Sequence, residues 1–251
     1  MTQLSFLPGS GKTELAMTYL SGAVVPAALG QRPDFGVLFN PTMGNSPATL
    51  GTFACDNGVW SEFQAQLKGL NKPFSLPRFL ALLDKWSPYR DQCLFAAAPD
   101  RVGDWRGTIE RSLPVLPIIR SLGYQAAFVA QDHLEEHLAK IPWSAFDVLF
   151  LGGGQDVRYL SPSNRVWSKQ QQRWVGEWKL TPGAQRLADL ARRKGKAVHM
   201  GRVNSFSRLQ RAASFGCTSA DGTYLTFRGR DRGIPEIQGW LDQLNRKGIY
   251  A

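Results

Sequence analysis

The 251-residue chain has little cysteine, little histidine and no long hydrophobic run. Its three cysteines, Cys55, Cys93 and Cys217, are odd in number, far apart and form no Cys-x-x-Cys pair. That excludes a disulfide scaffold or a zinc ribbon and fits a reducing cytoplasm. No apolar stretch approaches the roughly 20 residues that span a bilayer, so neither a transmembrane helix nor a membrane partner is expected. Lys12 and Glu14 fall where the apolar centre of a signal peptide would lie, so no secretory leader is expected. The hydrophobic fraction of 43% against 20% charged is that of a globular protein and excludes a disordered chain.

Acidic residues are scarce in one part of the chain. Residues 1–150 hold 12 basic and 13 acidic side chains, whereas residues 151–251 hold 18 basic and 7 acidic. The whole excess of +10 therefore belongs to the last two fifths. A one-sided basic field suggests a polyanion, most simply nucleic acid, with a solvated basic face as the plain alternative. Arg202, Arg208, Arg211, Arg228, Arg230 and Arg232 are the candidate phosphate contacts, and the excess is expected around one mouth of the fold.

Short apolar runs ending in Gly, Asp or Asn alternate with amphipathic stretches. Residues 4–7, 35–39, 52–55, 93–98, 126–130, 148–151, 197–200 and 217–220 read as strands. Helical spacing marks 76–86, 108–122, 182–194, 205–215 and 235–244. Pro182 after Thr181 starts one helix and Gly195 after Arg192-Arg193-Lys194 stops it. Strands buried on both faces and alternating with helices predict a parallel α/β sheet, and eight of them predict a single-domain (β/α)8 TIM barrel. An open doubly wound sheet is the competitor. Residues 155–176 break the rhythm and read as a long structureless insertion loop, basic and aromatic. There Trp167 and Trp174 interleave with Arg165, Lys169 and Arg173, as suits stacking on an exposed base, or else a tryptophan-anchored cap.

Two short motifs mislead. Pro8-Gly9-Ser10-Gly11-Lys12-Thr13 is like a phosphate loop, but Phe6 stands where the full motif needs its first glycine. His133-Leu134-Glu135-Glu136-His137 fits the H-x-x-E-H pattern of inverted zinc peptidases, although a solvated helix face explains so short a match. No metal is expected.

The strand ends carry the chemistry. Side chains at the C-terminal ends of barrel strands converge on one site. Here they are Asp56, Asp100, Gln131, the backbone of Gly152, Gly153 and Gly154, and Asp221, with Asp104 just beyond. Carboxylates accept from ring N–H and exocyclic amino groups, an amide donates to a carbonyl, and glycine lets main-chain N–H groups approach, so the set can read a purine-like base. A carboxylate can also attack an anomeric carbon. The alternative for each Asp is a helix N-cap.

These residues, in this order, resemble the tRNA-guanine transglycosylase superfamily, most closely its DNA-modifying branch, the phage and bacterial 7-deazaguanine DNA transglycosylases (DpdA-like). Asn40-Pro41-Thr42-Met43 sits where the family has an Asn-Thr-Tyr turn. Cys55-Asp56-Asn57-Gly58 is similar to its Asp-Ser-Gly-Gly, and Phe128-Val129-Ala130-Gln131 to its Ile-Val-Gln. Leu151 to Gly154 is similar to the Gly-Gly-Leu backbone site. His199-Met200-Gly201-Arg202-Val203, followed by Gly216 and, five residues on, Asp221, is similar to the segment that carries the nucleophile.

The resemblance implies a pentosyltransferase that exchanges guanine in DNA for a 7-deazaguanine base of the preQ0 or preQ1 type, without a cofactor. Asp221 would be the nucleophile and Asp56 the proton acceptor. Asp100 or Asp104, Gln131 and the three glycines would read the base. The family's tRNA enzymes carry a Cys/His zinc subdomain near the C-terminus. This chain ends about 30 residues after Asp221 with no such ligands, which moves the expected polymer from tRNA to DNA. The family's short link from the glycines to a glutamate is interrupted by the insert, so the resemblance does not say whether Glu177 reaches the site. The expected setting is the cytoplasm of a bacterial or phage-infected cell. The same exchange on tRNA, or a non-catalytic nucleic-acid-binding barrel, are the alternatives.

Overall fold

A computed structural model of the chain describes residues 17–22, 32–42, 51–153, 165–168 and 173–247. Ten strands occur among these described residues. In chain order they are β1 (Thr18–Ser21), β2 (Phe35–Phe39), β3 (Phe53–Cys55), β4 (Cys93–Ala97), β5 (Ala126–Ala130), β6 (Val148–Leu151), β7 (Arg165–Ser168), β8 (Arg173–Gly176), β9 (Ala197–Met200) and β10 (Ser219–Gly222). All but β7 and β8 pair in parallel and close a barrel of order β1-β10-β9-β6-β5-β4-β3-β2. Closure removes the open doubly wound sheet from consideration, because β1 hydrogen-bonds to both β2 and β10 and no edge remains.

Outside the strands lie α1 (Val59–Leu67), α2 (Leu76–Trp86), α3 (Trp105–Ser112), α4 (Leu116–Ser121), α5 (Pro182–Arg193), α6 (Phe206–Ser214), α7 (Tyr224–Arg228) and α8 (Arg230–Lys247). Ser75, Asp104, Thr181 and Ser205 cap α2, α3, α5 and α6 through their side-chain oxygens. None of the described helices is long and apolar enough to cross a membrane.

Four differences from the sequence expectations have local causes. The expected first strand at 4–7 lies outside the described residues, as does the phosphate-loop-like stretch. The barrel strand beside β2 is Thr18-Tyr19-Leu20-Ser21, whose two polar ends hide it from a hydrophobicity reading. The single helix expected over 108–122 is two, because Pro114 and Pro117 each lack an N–H and force a break between Ser112 and Leu116. The last strand is shifted two residues onward, so Asp221 lies within β10 rather than after it. The insert is not structureless: β7 and β8 form an antiparallel pair in which Trp167 stands opposite Trp174 and Val166 opposite Val175.

Packing follows the period of two along each strand. Outward residues such as Tyr19, Phe39, Phe128, Leu149 and Met200 join the helices in one large core. Inward residues, Leu20, Leu38, Ala54, Phe95, Ala97, Ala127, Val129, Val148 and Phe150, fill the barrel itself. The Phe128 ring is fully buried and stacks on Phe146 at 5.4 Å between centroids. Phe128→Ala should lower the unfolding free energy by about 3–5 kcal/mol in urea denaturation, the usual cost of an aromatic core deletion. A loss below about 1 kcal/mol would contradict this packing.

Candidate active site

The inward alternation continues one step beyond the apolar interior and sets the composition of the mouth. Past Leu20, Leu38, Ala54, Val129 and Phe150, the next inward positions are Gly22, Asn40, Asp56, Gln131 and Gly152. Past His199 and Ser219 they are Gly201 and Asp221. All seven line one cavity of about 530 Å³ at the C-terminal end of the barrel. On β4 the chain turns at Pro99, and Asp100 takes the corresponding place. Thus Asp56, Asp100, Gln131, Gly152, Gly153 and Asp221, named from the sequence, meet in a single cavity. Gly154 lies outside the described residues.

Asp104 does not join them. Its Oδ1 accepts the backbone N–H of Gly107 at 3.0 Å and caps α3, so the helix-cap alternative holds there, and of the two only Asp100 lines the cavity. His133 and His137 do not share a helix face. His133 has a left-handed backbone with φ of 65° and contacts Glu136, while the His137 ring stacks on Trp105 at 4.2 Å. Among the described residues, no group of three or more His, Cys, Asp or Glu is placed to hold a metal.

Asp100 and Gln131 form one unit. Gln131 Nε2 donates to Asp100 Oδ2 at 2.6 Å, and Gln131 Oε1 accepts from the Gly103 N–H at 2.8 Å. Asn57 Nδ2 donates to Asp100 Oδ1 at 3.1 Å and to the Ala98 carbonyl at 2.9 Å. An amide nitrogen carries two hydrogens, so Gln131 keeps one for a ligand carbonyl. Burial pushes the Asp100 carboxyl up to about 6, against the pull of Asn57 and nearby arginines. Burial, then the negative charges of Asp100 and Asp221, push Asp56 up to about 7. At that value a carboxyl both gives and takes a proton near neutrality.

Asp221 is held differently. Its Oδ1 lies 2.9 Å from His199 Nε2, and the Arg202 N–H donates to Oδ2 at 3.4 Å. On its other side the His199 ring meets Ser219 Oγ through Nδ1 at 2.8 Å. Neither His199 nor Ser219 stood out in the sequence as a site residue. The signal was there in β9 and β10: polar side chains at inward positions of otherwise apolar strands.

Arg202 has φ of 57°, a conformation that turns its side chain into the mouth. Its guanidinium covers the Trp60 ring at 4.6 Å and donates to the Gly153 carbonyl at 2.5 Å. Gly153 itself has φ of 81°, and a Cβ there would press on the buried Trp178. Trp60, Asn57, Asn204, Thr223 and Phe227 are further cavity residues that sequence reasoning passed over. Phe227 is 80% exposed at the rim.

Several expected nucleic-acid contacts are committed elsewhere. Arg208 bridges to Glu177 at 2.6 Å, and Glu177 also faces Lys179 at 3.6 Å. Glu177 is therefore not a cavity wall but part of a charged buttress beside Arg202. Within it, burial and Arg202 push the Lys179 ammonium down to about 7. Arg228 pairs with Glu236 at 2.9 Å. Arg211 lies in the last turn of α6, over Phe215, at the end of the barrel away from the mouth. The basic excess does not gather at the mouth alone. Arg192, Arg193 and Lys194 sit at the C-terminus of α5, also at the far end, where cations complement the helix dipole. Arg230 and Arg232 are exposed in the first turn of α8, three and five residues after Phe227 in the sequence. Trp167 and Trp174 lie on the β7–β8 ribbon.

No protein-family model and no curated protein matches this chain. Among solved structures it is similar to the Bacillus subtilis YkuI protein, which has an EAL domain and was solved with its substrate c-di-GMP and calcium. Identity is 18%, the match covers 78% of this chain and 44% of that one, and the TM-score is 0.37. This chain thus spans less than half the length of that protein, and at such a level no residue role passes from one to the other.

The shift at Asp56 has a sign that can be measured. Its folded value, about 7, stands above the ordinary 3.8. The stability it contributes is therefore complete below about pH 4 and is lost as pH rises through about 7. Asp56→Asn should flatten the fall in unfolding free energy between pH 5 and 8 by on the order of 2 kcal/mol, read from urea midpoints. An unchanged pH profile would place Asp56 in water rather than in the cavity wall.

Proposed function

We propose that the chain is a base-exchange transglycosylase that replaces guanine in DNA with a 7-deazaguanine base of the preQ0 or preQ1 type. The observation that carries this reading is the meeting of three differently held carboxyls, Asp56, Asp100 and Asp221, with Gln131 in one barrel-mouth cavity. A target nucleotide would be flipped out of the stack into that cavity. Its volume of about 530 Å³ is in the range of small-molecule sites and accommodates a base and its sugar.

In the first displacement, Asp221 attacks C1′ of the flipped nucleotide. The Asp221–C1′ bond forms, the C1′–N9 bond breaks, and its electron pair leaves with guanine, which takes a proton from Asp56. In the second, the Asp56 carboxylate takes the N9 proton of the incoming base. That nitrogen then attacks C1′, and the electron pair of the breaking C1′–O bond returns to Asp221. Two inversions give net retention at the sugar. A carboxyl poised near neutrality suits the shuttle role of Asp56. Asp221, hydrogen-bonded at both oxygens, suits attack. Asp100 and Gln131 present an acceptor and a donor side by side, which fits the N–H and carbonyl edge of a guanine-like ring. The exposed cations Arg230 and Arg232, which follow the cavity residue Phe227 in the sequence, would meet backbone phosphates.

The test is incubation with heavy-isotope guanine and either duplex DNA or tRNA, followed by mass analysis of each polymer. Label should enter DNA. Asp221→Asn should fold, still bind DNA and lose exchange by at least about a thousandfold. Label in tRNA alone would move the chemistry to that polymer. Binding without exchange on either would make the chain a non-catalytic nucleic-acid-binding barrel.

A further inference from the structure

His199 is fully buried inside the barrel beneath the cavity and does not line it. Its ring is clamped edge-to-face by Phe95 and Phe150, at 4.8 and 4.4 Å between centroids. Both nitrogens reach β10. The parallel register sets Ser219 directly beside His199, and Asp221 follows two residues later on the same inward face. One imidazole therefore spans Ser219 Oγ at 2.8 Å and Asp221 Oδ1 at 2.9 Å.

We infer that His199, set by Ser219, is a positioning residue that holds the Asp221 carboxylate through its exchange between free anion and sugar ester; this rests on the base-exchange reading. For a neutral ring, the network permits one arrangement. The Ser219 hydroxyl donates to a bare Nδ1, and Nε2–H donates to Asp221 Oδ1. The opposite tautomer would set the Nε2 lone pair against a carboxylate lone pair. Oδ1 is held by the imidazole at 2.9 Å, whereas Oδ2 carries only the long 3.4 Å contact from the Arg202 N–H and is the oxygen that attacks. A hydrogen bond to a carboxylate is stronger than one to a neutral ester carbonyl. The Nε2–H group therefore favours the second displacement, in which C1′–Oδ2 breaks and charge returns to Asp221. Being buried, His199 cannot reach the base or the sugar, so it acts only through Asp221.

The chain has three histidines, so each ring is assignable in a nitrogen-15 NMR spectrum of histidine-labelled protein. His199 should show a protonated Nε2 and a bare Nδ1. A wild-type ring protonated at Nδ1 or at both nitrogens overturns the inference.

The second arm isolates the covalent protein–DNA adduct and follows its release by added base. His199→Leu should slow release by at least about tenfold, with KM for the incoming base unchanged. Ser219→Ala, which keeps the ring and the packing, should slow release less and serves if His199→Leu fails to fold. Release at the wild-type rate in Ser219→Ala and in any folded His199→Leu overturns the inference. If wild type forms no adduct with DNA or with tRNA, the base-exchange reading fails, and the NMR result alone decides whether His199 fixes Asp221.

Discussion

Everything at the mouth depends on the alternation of side chains around a closed barrel. A period of two leaves each strand no freedom in what it presents next. The inward positions run Leu20 to Gly22, Leu38 to Asn40, Ala54 to Asp56, Val129 to Gln131 and Phe150 to Gly152. One layer is apolar and seals the interior. The next is polar or bare and meets the cavity. On β9 and β10 the polar character starts one layer deeper, with His199 and Ser219. A buried imidazole and hydroxyl without partners would cost several kcal/mol. Here they satisfy one another and Asp221, so the interior tolerates them.

The three carboxyls of the cavity have the same chemistry and different neighbours. Asp56 receives only backbone N–H groups, is pressed by two other carboxyls and rises toward neutrality. Asp100 is anchored by Asn57 and Gln131 and rises less. Asp221 is backed by an imidazole and a main-chain N–H. Arg202 ties the wall together through Trp60, the Gly153 carbonyl and its own N–H to Asp221. Behind it, buried Glu177 and Lys179 and half-buried Arg208 form a charged buttress. A single chemistry divided among three environments is how one site can hold both an attacking group and a proton carrier.

Much of the frame was legible. Six of the eight barrel strands stand where apolar runs ending in turn residues put them, β10 is two residues on, and Asp56, Asp100, Gln131 and Asp221 do converge. The misses have physical causes. β1 carries Thr18 and Ser21 at its ends, so composition concealed it. The β7–β8 pairing depends on cross-strand partners, which linear polarity does not display. Asp104 and Asp100 were equivalent by spacing, and only the Gly107 N–H separates a cap from a site residue. Charge counts cannot say which arginines are engaged. Arg208 and Arg228 are bound to glutamates, and Arg211 is at the wrong end. His199 was hidden because its role is set by β10, a strand distant in sequence.

The assignment of Asp221 is the centre of the account. Wild-type protein trapped on duplex DNA in the absence of an incoming base, then denatured, digested and analysed by mass spectrometry, should carry its sugar adduct on the peptide containing Asp221 and on that side chain. An adduct mapped to Asp56 or to any other residue would contradict the account.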